Sequence, residues 1–344
     1  MPDRMDASFD GGRKAPALAE LCVDLLARQR ESWPDLRDGY AALDAARIRE
    51  IAADGYSVKL QFNPRRIVSS IAAIDPESIR RRKCFLCSEN LPKEQLRILY
   101  RGYYLILCNP APIFPRHFTV ASLRHVPQAI ESDLAAFLTL AEDFGPGWSV
   151  FYNGPRCGAS APDHLHFQAA PAGIMPVENE IGEKGNRIPV GRAGGAAVLA
   201  STGLGRPVII VEGSGRKGVE DALRTVVALL RNGPMTPDEP MVNVLCSRDG
   251  TQWRVLLFPR SRHRPEAYYR EGENRILISP GAVDMAGLII TAVEKDFYAV
   301  GAEQVGRIFR EVSMDEARFD RLVSALPDRL RLQAGAGAAA SETK

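Results

Sequence analysis

Five histidines and six cysteines carry all the imidazole and thiol chemistry of this 344-residue chain, and they are unevenly spread. Cys84 and Cys87 form a C-x-x-C, one residue separates His164 from His166, and His117 lies between the two pairs. Much of the capacity for metal ligation and nucleophilic attack therefore falls between positions 84 and 166. Read as a strand, Asp163-His164-Leu165-His166-Phe167-Gln168 puts His164, His166 and Gln168 on one face and Leu165 and Phe167 on the other. Two imidazoles and an amide in a row point to a ligand-facing strand more than to a satisfied structural histidine. The preceding loop, Asn153-Gly154-Pro155-Arg156-Cys157-Gly158-Ala159-Ser160, has small residues where backbone can approach a ligand, and its exposed N–H groups could cradle phosphate oxygens.

The C-x-x-C has the spacing of half a zinc knuckle. A tetrahedral ion needs two more ligands, and His117, His125, His164, His166 and His263 are the candidates; spacing leaves the choice open. Two reduced, partly buried cysteines are the plain alternative. Two other motifs are weaker. Gly213-Ser214-Gly215-Arg216-Lys217-Gly218 formally fits G-x-G-x-x-G, but the acids at the required distance, Asp238 and Glu239, sit in a Pro-rich turn rather than at a strand end. Pro259-Arg260-Ser261-Arg262-His263-Arg264-Pro265 follows a strand and is either a solvated surface or a grip on phosphates through its arginines.

The elements that must position these groups are legible in outline. Residues 16–30 have helical apolar spacing, and 61–74 look extended. Strands are expected at 103–108, 118–121, 148–152 and 163–169, with a helix over 132–144 before the third of these. A similar order recurs as a strand at 207–211, a helix at 219–230, and strands at 241–246 and 253–258 joined by a turn at 248–250. Residues 286–296 and 303–312 read as helical. The repetition predicts an α+β fold of two divergent similar halves, each an antiparallel sheet plus helix. The expected organisation is a disordered segment 1–16, a first half 17–170 with the active site, a linker or excursion 171–206, a degenerate second half 207–332 and a disordered tail 333–344.

Composition narrows the partners. Forty-four basic and 42 acidic side chains give a net charge of +2, so no global field draws the chain to nucleic acid or an anionic membrane. No apolar run approaches the ~18 residues that would span a bilayer, and the N-terminus lacks the apolar stretch of a secretory signal. A cytoplasmic setting with reduced cysteines is the expectation.

Cys84-Phe85-Leu86-Cys87, then NPAPIFPRHFTV (109–120), then VFYNGPRCGASAPDHLHFQ (150–168) resemble the histidine-triad superfamily. They are most like the branch ending in glutamine: galactose-1-phosphate uridylyltransferases, dinucleoside tetraphosphate phosphorylases and nucleoside-diphosphohexose phosphorylases. GASAPDHLHFQA looks especially like the GDP-hexose phosphorylases, and the pieces after 255 resemble an uncharacterised bacterial group. The resemblance implies that His166 attacks the α-phosphorus of a nucleotide and that Gln168 binds a non-bridging phosphate oxygen. It places Asn153, Gly158, Ala159 and Ser160 around the phosphates, with Arg260, Arg262 and Arg264 as further phosphate-binding candidates. It also implies a structural zinc on Cys84, Cys87, His117 and His164, leaving His125 without a role. Leu165 stands where the uridylyltransferases have proline, and Trp253–Phe258 replaces the histidine strand in the second half, so one active site per chain is expected. The implied activity is nucleotidyl transfer from a nucleoside-diphosphate sugar to phosphate or a sugar phosphate, by a monomer or homodimer. Rival expectations are cleavage of a dinucleoside polyphosphate, and a zinc-supported nucleotide- or RNA-binding protein without turnover.

Overall fold

The computed structural model describes residues 5–12, 17–71, 74–183, 187–231 and 239–341. Parts of the expected disordered ends, and Asp238, lie outside the described residues. Among the described residues there are fourteen strands. The first eight are β1 (Met5–Phe9), β2 (Arg47–Ala53), β3 (Tyr56–Phe62), β4 (Arg97–Tyr100), β5 (Tyr104–Cys108), β6 (Phe118–Ser122), β7 (Trp148–Asn153) and β8 (His166–Pro171). The rest are β9 (Ile188–Ala193), β10 (Ala196–Ser201), β11 (Val208–Gly213), β12 (Val242–Asp249), β13 (Gln252–Pro259) and β14 (Leu288–Thr291).

Eleven strands form one sheet in the order β1-β4-β5-β6-β8-β7-β12-β13-β11-β10-β9. The order reads the same outward from its centre. β7, β8, β6, β5 and β4 run one way, and β12, β13, β11, β10 and β9 run the other. Helix Leu134–Phe144 follows β6 as helix Arg216–Arg231 follows β11. The chain is thus a duplicated α+β unit whose halves meet along the antiparallel β7–β12 pair, with Asn153 opposite Asn243.

The duplication moves a boundary. Residues 171–206 are not a linker, because β9 and β10 lie there and supply the outer strands of the second half. The Gly- and Ala-rich composition concealed them: Gly194 and Gly195 take positive φ in the hairpin turn, and small side chains weaken the alternation that marks a strand. Residues 5–9, expected disordered, form edge strand β1, held parallel to β4 by the stacking of Phe9 on Tyr100 and an Arg28–Asp6 ion pair. These partners are remote in sequence, so local polarity misled. The expected loose tail is helical as far as Ser341, within helix Glu316–Ser341. Leu288–Thr291 is a strand rather than a helix, because a four-residue apolar run carries no period and its partner β3 decides. Only the start of 61–74 is extended, since Asn63 and Pro64 end β3 and open short helical turns.

Alternation along the strands separates two cores. Val150 and Tyr152 of β7, with Phe167 of β8, face the helices 18–32, 134–144, 216–231 and 316–341, while Phe151 faces the other way. On that second face the two halves differ. Leu256 and Phe258 of β13 are packed under Ile289 of β14 and Phe309 of helix Ala302–Val312. The corresponding strand of the first half, β8, presents His166 and Gln168 to a cleft.

Candidate active site

The cleft has a volume of about 390 Å³ and is lined by His166, Gln168, Asn153, Gly158, Ala159 and Ser160 together with residues of both halves. His166 begins β8, which is clamped between β6 and β7. Its backbone N–H donates to Gln128 Oε1 at 2.8 Å, and Gln128 Nε2 donates in return to the carbonyls of His166 and Asn153. The His166 ring donates from Nδ1 to the His164 carbonyl at 2.8 Å. A carbonyl can only accept, so this bond places the ring proton on Nδ1 and leaves the lone pair on Nε2. Burial, with the His164 ring beside it, pushes the His166 imidazole down to about 4, so it is neutral near pH 7.

Gln168 is oriented by a residue for which the sequence reading had a different use. His117 is buried; its Nδ1 accepts from the Ile113 N–H at 3.4 Å and its Nε2 donates to Gln168 Oε1 at 2.9 Å. With Oε1 engaged, the Gln168 amide N–H groups are the atoms left to donate to a ligand. Burial, reinforced by Arg66, pushes His117 down to about 3.

The structure therefore does not bring His117 to the thiols, as the sequence reading expected. The structure gathers Cys84, Cys87, His125 and His164, whose ligating atoms all lie within 4.8 Å of one another. His164 Nδ1 is 3.3 Å from Cys84 Sγ and 3.5 Å from Cys87 Sγ, and His125 Nδ1 is 3.2 Å from Cys87 Sγ. His164 Nε2 donates to the Ser122 carbonyl at 2.8 Å, which directs Nδ1 to the thiols. Bonds of ~2.3 Å to sulfur and ~2.0 Å to nitrogen put S and N about 3.5 Å apart on a tetrahedron, so the four groups fit a zinc ion. Burial alone would raise the Cys84 thiol; His164 and the N–H groups of Leu86 and Cys87 outweigh it and bring it to about 6. Burial and the neighbouring Cys84 push Cys87 up to about 12. Asp163, paired with Arg82, lies 3.8 Å from His125 Nε2.

The expected common face of His164, His166 and Gln168 is also corrected. His164 sits in the turn before β8, its N–H donating to the Ala161 carbonyl, and only His166 and Gln168 share the cleft face.

The loop 153–160 is fastened from the second half. Asn153 Oδ1 accepts from Asn243 Nδ2 at 2.9 Å and from the Ala282 N–H at 2.6 Å, and Asn243 Nδ2 also donates to the Cys157 carbonyl. Gly158 has φ +94°, and a Cβ there would lie 2.5 Å from Gly281 Cα, so glycine is required on both counts. Behind them Arg260 is buried and donates to Asn243 Oδ1 and to the carbonyls of Pro280, Val312, Arg262 and His263. Arg260 is thus a strut, not the expected phosphate ligand. Arg262 is exposed and lies outside the cleft. Arg264 lines it, with Nε on Ser279 Oγ at 2.9 Å and its guanidinium over the Tyr268 ring. Sequence reasoning missed Arg66, which lines the cleft with Nη1 on the Ala111 carbonyl, and Asp284, whose carboxyl burial raises to about 6. No local signal marked either, because each reaches the cleft from outside the repeated strands.

A solved yeast protein has this architecture. The crystal structure of yeast Ap4A phosphorylase Apa2 superposes with a TM-score of 0.52 and 16% identity, over 81% of this chain and 93% of that one. The chain has the histidine-triad-like fold. Apa2 solved with Ap4A gives the same TM-score and identity, with 96% of that chain covered. An ADP-glucose phosphorylase from Arabidopsis thaliana, solved with bound ADP-glucose, matches at 15% identity over 78% of this chain and all of that one. Its TM-score is 0.35. Residues 25–171 match a domain of unknown function (DUF4922), and 215–331 match the GDPGP1-like C-terminal domain. No curated protein matches the chain. The resemblance to the branch of histidine-triad-like proteins ending in glutamine is borne out by the fold and the second of these matches. Among the described residues, no helix is long and apolar enough to cross a membrane.

Proposed function

We propose that the chain is a nucleotidyl-transferring phosphorylase acting on a nucleoside-diphosphate sugar through a nucleotidyl-histidine on His166. The observation that carries the reading is the His166 ring: neutral, held through Nδ1–H, its Nε2 lone pair left for the cleft. In the first step Nε2 forms a bond to the α-phosphorus while the α–β bridging P–O bond breaks. The sugar 1-phosphate departs with the electron pair. In the second, an oxygen of phosphate or of a sugar phosphate attacks the same phosphorus and the imidazole leaves with its pair. Splitting the displacement makes each half easier. Phosphoryl transition states need positioning and charge stabilisation. Gln168, Ser160, the 158–160 backbone, Arg66 and Arg264 line the cleft and would supply them.

Zinc, held by Cys84, Cys87, His125 and His164, would tie the 84–87 knuckle to the turn that launches β8 and would act as structure. The nucleoside-diphosphate sugar is favoured by the GDPGP1-like match and by the GASAPDHLHFQA segment. The second reading, a dinucleoside polyphosphate, draws on the substrate with which yeast Apa2 was solved. One experiment tests both: α-³²P-labelled GDP-mannose, ADP-glucose and Ap4A are mixed with enzyme and quenched in alkali. We expect an acid-labile label on wild type that His166→Ala lacks. Product release by wild type with no labelled protein at any quench time would overturn the mechanism.

A further inference from the structure

A second cavity of about 400 Å³ adjoins the first, sharing only His263 and Arg264 with it. Its lining includes Arg156, Arg262, Glu266 and Tyr269. Cationic groups dominate this wall. Its one carboxylate, Glu266, is hydrogen-bonded by Arg270 at 2.9 Å and also feels the charges of Arg307 and Arg262, so three arginines share it. Arg156 and Arg262 are exposed, and among the described residues neither guanidinium makes a hydrogen bond or ion pair. The ring nitrogens of His263 are buried at this wall, beside the backbone of Arg156. Like charges gathered around a buried polar ring are costly unless an anion completes them.

The wall is also rigid. Arg260 donates to the carbonyls of Arg262 and His263, fixing the backbone that carries both. Asn243, bonded to Arg260, holds the Cys157 carbonyl next to Arg156. One buried node thus sets both sides of the cavity before any ligand arrives, which limits the entropy lost on binding. A planar guanidinium presents paired N–H donors matched to phosphate oxygens.

We propose that Arg156, Arg262 and His263 form a binding subsite for a phosphate dianion, separate from the nucleotide phosphates and next to the reaction cleft. The inference rests on the proposed phosphorylase reading for its biological sense, since such an enzyme must recruit an anionic acceptor to a cleft that already holds a nucleotide. The subsite concentrates that acceptor and makes no bond itself. Inorganic phosphate and the phosphate group of a sugar phosphate share the required chemistry.

The test is orthophosphate binding to the full-length His166→Ala protein, followed by ³¹P line broadening at low ionic strength. Binding should weaken at least tenfold with R156Q/R262Q added, recover in part with R156K/R262K, and weaken with His263→Phe, while circular dichroism and melting temperature stay put. Competition by glucose 1-phosphate would identify a monoester site, and its failure a site for free phosphate. Phosphate binding that ignores all these substitutions, or that the Gln pair weakens only together with loss of fold, would overturn the subsite. Failure to trap a labelled His166 in wild type, with phosphate binding intact, would instead overturn the phosphorylase reading and leave the subsite standing.

Discussion

The structure sets His125, in place of the expected His117, beside Cys84, Cys87 and His164, and the consequence for metal binding is measurable. Wild type should bind one zinc per chain. His125→Ala or Cys84→Ala should lose it, whereas His117→Ala should keep it, as read by elemental analysis of the folded protein; retention in His125→Ala would contradict the ligand set. His117 instead holds Gln168, so His117→Phe should lower the rate of His166 labelling about tenfold by releasing the amide, with metal content unchanged. Its burial has a pH signature. An imidazole held at about 3 in the fold but ordinary when unfolded binds fewer protons folded than unfolded between those values. Its contribution is therefore intact above the unfolded value and is lost as pH falls toward 3, by about 1.4 kcal/mol per pH unit at most. Urea titrations at pH 7 and pH 5 should show a shallower loss in His117→Gln than in wild type; equal slopes would refute the assignment. The pairing of Cys84 with Cys87 and the nearness of His164 to His166 were visible in the sequence. Which histidine faced which partner was not, because Tyr40, Ile113 and Gln168 fix the His117 backbone and ring from three directions.

At the level of the element, the loop 153–160 and the strand β8 work as one device. β8 aims His166 and Gln168 by simple alternation, and the loop is pinned across the pseudo-symmetric seam by Asn243. Gly158→Ala should cost roughly 1–3 kcal/mol from the left-handed backbone. It should also displace the 281 turn that a Cβ would strike. Expected together are a lower melting temperature and at least a tenfold loss of His166 labelling; a variant with wild-type labelling would show that the loop is not tightly held. The strands of β5 to β8 were legible because apolar alternation and the turn residues coincided. β9, β10 and β14 were not, since small residues, short length and distant pairing erase the local period. The start of β8 was read three residues early, which is why His164 was first given to the wrong face.

Across the whole molecule, duplication sets one working half against one supporting half. The face of β13 corresponding to His166 and Gln168 carries Leu256 and Phe258 beneath β14 and helix 302–312. Intact-mass analysis of substrate-treated enzyme should therefore show one nucleotidyl group per chain and no second addition at saturation. A doubly labelled chain would overturn the one-site arrangement. The second half still contributes to the cleft, through Arg264, Ser279 and the 281–284 turn.

From the order of residues alone came the duplicated α+β plan, the H-x-H-x-Q segment with its glycine loop, and the C-x-x-C that invites a metal. These follow from short-range spacing, which is a property of the chain itself. The tertiary structure decided which histidine joins the thiols, that Arg260 braces rather than binds, and that strands lie within 171–206. The histidine and Arg260 take their places from partners remote in sequence, such as Cys84 for His164 and Val312 for Arg260, and burial beside those partners gives an imidazole or guanidinium its task; the strands in 171–206 form a local hairpin whose small side chains hid its alternation.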